Sequence, residues 1–304
     1  MNNTIRGVIT LDSQFNKDWI SLCGGCQSPI NISDKGTIFF VSSNVGQFKG
    51  QLFPVSKCTQ CQSLTSLMVM DFKKMYEKYP VKNRKLDFFS KPSFNKLLSR
   101  LSSAGLKKSD RILDFGCGNG IFLNYLNSKG YQNTAGFDPY CEPFHEKPLG
   151  QFDFILANDV MEHLTDPRIL LRFMKTYLKP NGVGYIGVPC TDFLNLNDRG
   201  SHMTILHQPY HRVILSKKQL FKITLEEKFC IKKIYHRSYL DTFYPFVNYR
   251  FLDELLIALG HDMDRAFSPI PLMIWIRNPR LWFAAIFGSL FPASDEPGIV
   301  IQNL

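Results

Sequence analysis

With 304 residues, 44% of them hydrophobic, the chain is long enough to bury a substantial core and too apolar to be disordered throughout. No signal-like apolar stretch opens it and no uninterrupted run of about 20 apolar residues occurs, which excludes a spanning helix of ordinary kind and makes the cytoplasm the expected location. The net charge of +10 is unevenly placed: residues 1–91 hold twelve Lys and Arg against six Asp and Glu, a basic excess that suits an anionic partner or simply a soluble surface.

Four of the eight cysteines form two pairs, Cys23-Gly-Gly-Cys26 and Cys58-Thr-Gln-Cys61, while Cys117, Cys141, Cys190 and Cys230 stand singly among apolar or glycine neighbours. In a reducing compartment two such pairs suggest four thiolates closing a tetrahedral, structural Zn²⁺ site; a redox Cys-x-x-Cys needs only one pair beside a helix start. The β-rich stretches Gly36–Ser42 and Gly46–Gly50 read as short hairpin strands between the pairs. Residues 1–70 are therefore expected to be a small β-rich zinc module, too small to fold on its own core.

A Lys-rich connector over 71–91 leads to a domain expected over 92–240. It opens with a helix at Pro92–Leu101, where Phe94, Leu97, Leu98 and Leu101 repeat at helical spacing. Strands at Arg111–Phe115, Thr134–Phe137, Phe152–Ala157 and Val183–Val188 then alternate with helices at Ile121–Leu126 and Arg168–Leu178. Such alternation predicts an α/β fold with a Rossmann-like, doubly wound, mostly parallel sheet, and Leu220–Ile234 reads as a further helix and strand that would complete it. Residues 241–304 are expected to form a helical, apolar extension. Its segment 272–290 carries Trp275, Trp282, Phe283 and Phe287 with Arg277 and Arg280 as the only charges, a composition that suits a membrane surface, although a core or homodimer-covering role is the commoner use of such a segment.

The sharpest signal is Asp114-Phe-Gly116-Cys117-Gly118-Asn-Gly120, which ends a strand and opens a helix. Alternate glycines allow a tight turn and let a ligand lie against bare peptide, and the next strand ends at Asp138, placed to grip both hydroxyls of a ribose. A dinucleotide fingerprint would put a third glycine three positions after Gly118, where Ile121 stands, and an adjacent carboxylate, Asp114, would repel a pyrophosphate.

Together with Gly136-Phe-Asp138-Pro139 and Asn158-Asp159-Val160-Met-Glu-His163-Leu, this loop resembles the successive motifs of class I S-adenosylmethionine-dependent methyltransferases, over about residues 92–190. The resemblance implies a seven-stranded sheet, with S-adenosylmethionine on Asp114, Gly116, Cys117, Gly118 and Gly120, its ribose at Asp138 and Pro139, and Asn158, Asp159 and Val160 beside the adenine and sulfonium. Asn181 departs from the usual turn before the fifth strand but tolerates a left-handed backbone. A zinc module preceding a methyltransferase resembles enzymes acting on nucleotide sugars and other natural products, so the expected acceptor is a saccharide, nucleotide-sugar or related small molecule.

An oxygen or carbon acceptor must lose a proton during in-line transfer, and the loop after the fifth strand is where a base is expected. Asp192, His202, His207, Tyr210 and His211 fall there, with His207 and His211 the leading candidates and His163 and Asp192 next. No carboxylate cluster supports a catalytic metal at these histidines. RNA methylation is the alternative reading, since a basic zinc module could hold RNA; the Asn158-Asp-Val-Met turn and the lack of Arg-aromatic clusters in 20–67 weigh against nucleic acid. A non-catalytic cofactor-binding protein is a third.

Overall fold

The computed structural model describes residues 19–34, 36–77, 79, 86, 90–196, 203–266, 268–291 and 296–303; His202 lies outside them. The N-terminal part contributes strands β1 (Ile38–Ser42), β2 (Leu52–Lys57) and β3 (Leu64–Ser66). The stretch Gly46–Gly50, expected as a strand, holds a 3-10 turn at Gly46–Phe48, and the hairpin partner of β1 begins only at Leu52. Helix α1 (Phe72–Glu77) occupies the expected connector, and α2 (Ser90–Ser103) starts two residues ahead of Pro92.

The alternation that follows is β4 (Ile112–Phe115), α3 (Ile121–Ser128), β5 (Thr134–Phe137), β6 (Phe152–Asn158), α4 (Arg168–Tyr177) and β7 (Leu178–Gly187). Beyond β7 come α5 (Met203–Leu206), β8 (Val213–Ile214), α6 (Lys217–Glu226) and β9 (Phe229–Arg237), then α7 (Tyr249–Ala258), α8 (Met263–Ala266), α9 (Leu272–Arg277), α10 (Pro279–Phe287) and β10 (Glu296–Asn303).

Six strands form the main sheet in the order β5-β4-β6-β7-β10-β9, parallel from β5 to β7, with β10 antiparallel to both β7 and β9. Side chains alternate between two buried faces: Leu113, Ile155, Ala157, Ile299 and Ile301 pack with α4 and α6, while Ile112, Phe154, Leu156 and Val300 pack with α2 and α3. This is the doubly wound arrangement that near-continuous apolar strands demand.

Two expectations need correction. The sheet has six strands among the described residues, not seven. The extension over 241–304 is helical only in part, because β10 returns to the sheet interior and lies between β7 and β9.

The second sheet, β1-β2-β3-β8, is antiparallel throughout. Its fourth strand comes from the loop after β7, so the N-terminal module is completed by chain from the main domain. Arg212, just before β8, is buried and donates to the Ser66 hydroxyl at 2.8 Å and to the carbonyls of Ser66 and Met68.

Candidate active site

A cavity of about 530 Å³ opens at the C-terminal ends of β4, β5 and β6, where ligands collect in open α/β sheets. The loop between β4 and α3 forms one wall. Gly116, Gly118 and Gly120 all have left-handed backbones, with φ of 78°, 53° and 76°, so the alternate glycines are a conformational requirement. Their surroundings differ. A β-carbon on Gly116 would lie 2.4 Å from Val160, whereas one on Gly118 would meet nothing within 4 Å. Gly120, expected at the cofactor, is not among the residues that line the cavity; a β-carbon there would lie 2.8 Å from Phe144.

Asp138 is aimed back at this loop. Its Oδ2 accepts from the Gly118 N–H at 3.0 Å and its Oδ1 from the Tyr140 N–H at 2.9 Å. Asp114 lines the same cavity almost without solvent contact, and burial, reinforced by the charge of Asp138, pushes its carboxyl up to about 8. Cys117, Pro139, Asn158, Asp159 and Val160 also line the cavity. An open backbone cradle flanked by two carboxylates fits a ligand carrying an amine and a ribose.

At the end of β6, Asp159 takes a left-handed φ of 57° and accepts from the Asn158 amide at 2.7 Å. Its carboxylate is also paired with the buried Arg237 at the end of β9, which lies 3.3 Å from Glu296 at the start of β10. The two acids hold the Arg237 guanidinium charged although burial opposes it. Asp159 thus borders the cavity, but its carboxylate is committed to the end of β9, where the sequence suggested a direct ligand contact.

The histidines converge. His163, His207 and His211 all line the cavity, with the His211 ring centroid 4.8 Å from that of His163 and 5.1 Å from that of His207. His211 Nδ1 faces the Ile205 carbonyl at 2.5 Å; a carbonyl only accepts, so Nδ1 bears the proton and Nε2 is left as an acceptor. Likewise His207 Nδ1 donates to the Asn44 side-chain oxygen at 2.8 Å. His163 Nδ1 bonds the Tyr76 hydroxyl at 2.8 Å. Burial lowers all three, His211 to about 4, so each imidazole is neutral at pH 7.

Asp192 does not join them. It lies exposed at the head of α6, accepting from the Lys217 N–H at 2.8 Å, and is withdrawn as a candidate base. Glu162 stands there instead: among the described residues its buried oxygens have no hydrogen-bond partner, one of them lies 3.9 Å from His211 Nε2, and burial raises its carboxyl well above the usual range. The histidines therefore do have a carboxylate beside them, and Glu162, His163 and His211 present ligand atoms within 4.8 Å of one another.

The four paired cysteines come together as well, with all sulfurs within 4.8 Å and the Cys23–Cys61 and Cys26–Cys58 separations both 3.6 Å. A tetrahedron with metal–sulfur bonds of about 2.3 Å has edges of about 3.8 Å, so this set could hold a zinc ion. The two turns have matching form. Cys23 and Cys58 each accept from the N–H four residues on, and Gln27 and Gln62 both sit in the left-handed region. A hydrogen bond from the Cys23 thiol lowers Cys61 and raises Cys23, so a thiol and a thiolate share one proton across this pair.

The knuckles also grip the main domain. Arg168 and Gln219 both donate to the Gly25 carbonyl at 2.9 Å, Ser216 to the Cys61 carbonyl at 2.7 Å and Thr191 to the Gln62 carbonyl at 2.9 Å. Tyr76 and Tyr79, from the segment read as a polar connector, line the cavity, and Tyr76 stacks on Tyr140 with centroids 4.6 Å apart. Their aromatic character among lysines was the available signal. Nothing local in the sequence pointed to Arg237 or Glu296.

Residues 79–225 match a family model described as a methyltransferase domain. The ubiquinone biosynthesis O-methyltransferase of Bradyrhizobium diazoefficiens is 29% identical over 122 residues, covering 33% of this chain and 46% of its own length. That of Erwinia tasmaniensis is 25% identical over 124 residues, covering 33% and 49%. The chain thus spans about half the length of these curated relatives. A solved structure of a methyltransferase complexed with the Haloferax volcanii Trm112 methyltransferase activator is 14% identical, covers 77% of this chain and 97% of its own, and has a TM-score of 0.48.

Proposed function

We propose that the chain, whose residues 79–225 match a family model described as a methyltransferase domain, methylates a hydroxyl on a cyclic small molecule with S-adenosylmethionine as the donor. The observation that carries this reading is one cavity lined both by the Gly116–Asn119 loop with Asp138 and by Glu162, His163, His207 and His211. Asp114, Gly116, Cys117, Gly118 and Asp138 would hold S-adenosylmethionine, with Pro139, Asn158 and Val160 completing the wall. When bound, it supplies an electrophilic methyl group to the acceptor. The partial match to O-methyltransferases supports oxygen as the methylated atom.

The protein's own part is to align the acceptor and take its proton. Phe72, Tyr76, Tyr79 and Tyr140 offer an aromatic wall on which a ring can stack, and His211 Nε2, unprotonated and beside Glu162, is placed to receive the hydroxyl proton. Glu162, whose carboxyl is raised by burial and so keeps its proton, stands beside that nitrogen as a neighbour that orients the imidazole and does not itself receive the proton. A saccharide, the acceptor expected from the sequence, would meet the wall through its C–H face and a phenol through its ring. Zn²⁺ at Cys23, Cys26, Cys58 and Cys61 is assigned a structural role, because four thiolates leave no open position.

Turnover of radiolabelled S-adenosylmethionine against parallel panels of phenols and saccharides tests the reading. Glu162→Gln and His211→Gln should each lower turnover by roughly 10²–10⁴ while leaving cofactor affinity unchanged. Wild-type turnover in both would dismiss His211 as the proton receiver and Glu162 as its neighbour, and absence of cofactor binding in the wild-type chain would dismiss the whole reading.

A further inference from the structure

Helices α9 and α10 each present the same exposed apolar pattern. On α9 it is Leu272, Met273 and Ile276; on α10 it is Trp282, Phe283, Ile286 and Phe287, continued by Leu290 and Phe291. All nine are 45–72% exposed. The opposite side of α10 is already used: Leu281, Ala284 and Ala285 are buried, and Leu281 and Ala285 pack with Phe251 and Leu255 of α7. The outer face is therefore not an unfinished part of that core. Phe243 and Tyr244 are also exposed, at 74% and 55%, and Phe243 borders the same shallow pocket as Phe291.

The Phe283 ring lies 5.4 Å from that of Phe287 and 5.7 Å from that of Phe291, centroid to centroid; large exposed apolar side chains gathered in this way mark an interaction surface, and the charges beside them indicate what kind. From Ser268 to Phe291 the only charged residues are Arg277 and Arg280, both exposed, with no acidic residue among them. Lys96 extends over the Phe243 ring at 5.6 Å. A symmetric contact between two copies of α9 and α10 would bring these arginines toward their own counterparts with no carboxylate between Ser268 and Phe291 to pair with them. An anionic lipid surface supplies what is missing, an apolar layer for the Phe, Ile and Leu side chains with negative headgroups at its rim. Trp282 and Tyr244 have the amphipathic rings that favour this boundary.

We propose that the α9–α10 face docks the protein peripherally on an anionic bilayer. It does so from one side only, since among the described residues no helix is long and apolar enough to cross a membrane. The proposal is independent of the acceptor assignment and stands or falls without it.

Co-sedimentation of the full chain with vesicles of phosphatidylcholine, alone or mixed equally with phosphatidylglycerol, tests the proposal. Binding to the mixed vesicles should be the tighter, and Arg277→Glu with Arg280→Glu should weaken it by about thirtyfold or more. Phe283→Ser with Phe287→Ser should weaken it by about tenfold or more, while far-UV dichroism and S-adenosylmethionine affinity stay as in the wild type. Failure of the wild-type chain to sediment with mixed vesicles would overturn the proposal. So would equal binding by the Phe283→Ser/Phe287→Ser variant, or a sedimentation-velocity dimer that this variant dissolves in the absence of any vesicle binding.

Discussion

Gly118→Ala separates the cost of a side chain to the protein from its cost to a ligand. The position has a φ of 53°, and a β-carbon there meets no protein atom within 4 Å. The free protein should therefore lose only the left-handed backbone preference, about 1 kcal/mol, or about 2–4 °C in Tm. The added methyl would project into the space where a ligand is expected to lie against the peptide. Overpacking of that kind costs about 1–3 kcal/mol, so the dissociation constant for S-adenosylmethionine should rise roughly 5- to 150-fold. Gly116→Ala is the contrasting variant. Its φ of 78° adds strain to a contact 2.4 Å from Val160, and the protein itself should lose about 2–5 kcal/mol. Calorimetric titration beside thermal melts measures both quantities. If Gly118→Ala binds the cofactor as tightly as the wild type, the loop is not the cofactor cradle and the site argument fails at its foundation.

Three further outcomes are expected. Because Asp114 sits near 8 when the cavity is empty, pairing it with the cofactor's ammonium should release close to one proton at pH 7 and tighten binding as pH rises toward 8; equal apparent enthalpies in buffers of different ionisation heat would show that no proton leaves. His163, His207 and His211 have folded-state values below those of the unfolded chain, so the unfolded state takes up more protons and stability should fall as pH drops from 6.5 toward 4, by about 3 kcal/mol for His211 alone; identical urea midpoints at pH 7 and pH 5 would contradict this. Cys58→Ser should remove one zinc per chain by elemental analysis and reduce turnover at least tenfold with cofactor affinity nearly unchanged, because Cys61 and Gln62 hold Ser216 and Thr191 while Asn44 holds His207; full turnover in a zinc-free Cys58→Ser variant would sever the module from the active site.

What the sequence made legible is what adjacent residues encode. Asp114 to Gly120, the strand ending at Asp138 and the stretch Asn158–His163 carry their meaning within a few positions, because glycine dihedrals and strand ends are local properties. The cysteine pairs were readable for the same reason, each turn fixing two ligands at once. Asp192 was misjudged because a loop position says nothing of direction: the same carboxylate that could serve a cavity also satisfies the exposed N–H at the head of α6. Glu162 falls within the Asn158–His163 stretch, but its role arises from being buried beside a histidine 49 positions later. Arg237 and Glu296 were beyond reach, as their partnership with Asp159 exists only once three strands lie side by side. The seventh strand of the expected sheet was inferred from resemblance alone, and the described residues after β5 run irregularly to β6.

The placement of β10 also constrains the order of assembly. It is the last strand among the described residues, yet it fills the gap between β7 and β9 and brings Glu296 to Arg237. During synthesis β9 is made long before the strand that joins it to the rest of the sheet, and all four helices from α7 to α10 must be made in between. Until then β7 and β9 each hold an open edge, and Asp159 and Arg237 lack the acid that completes their network. β10 thus brings Glu296 to the cavity lining only after the four intervening helices have been made, a high-contact-order step that leaves the edges of β7 and β9 in need of protection until it is complete.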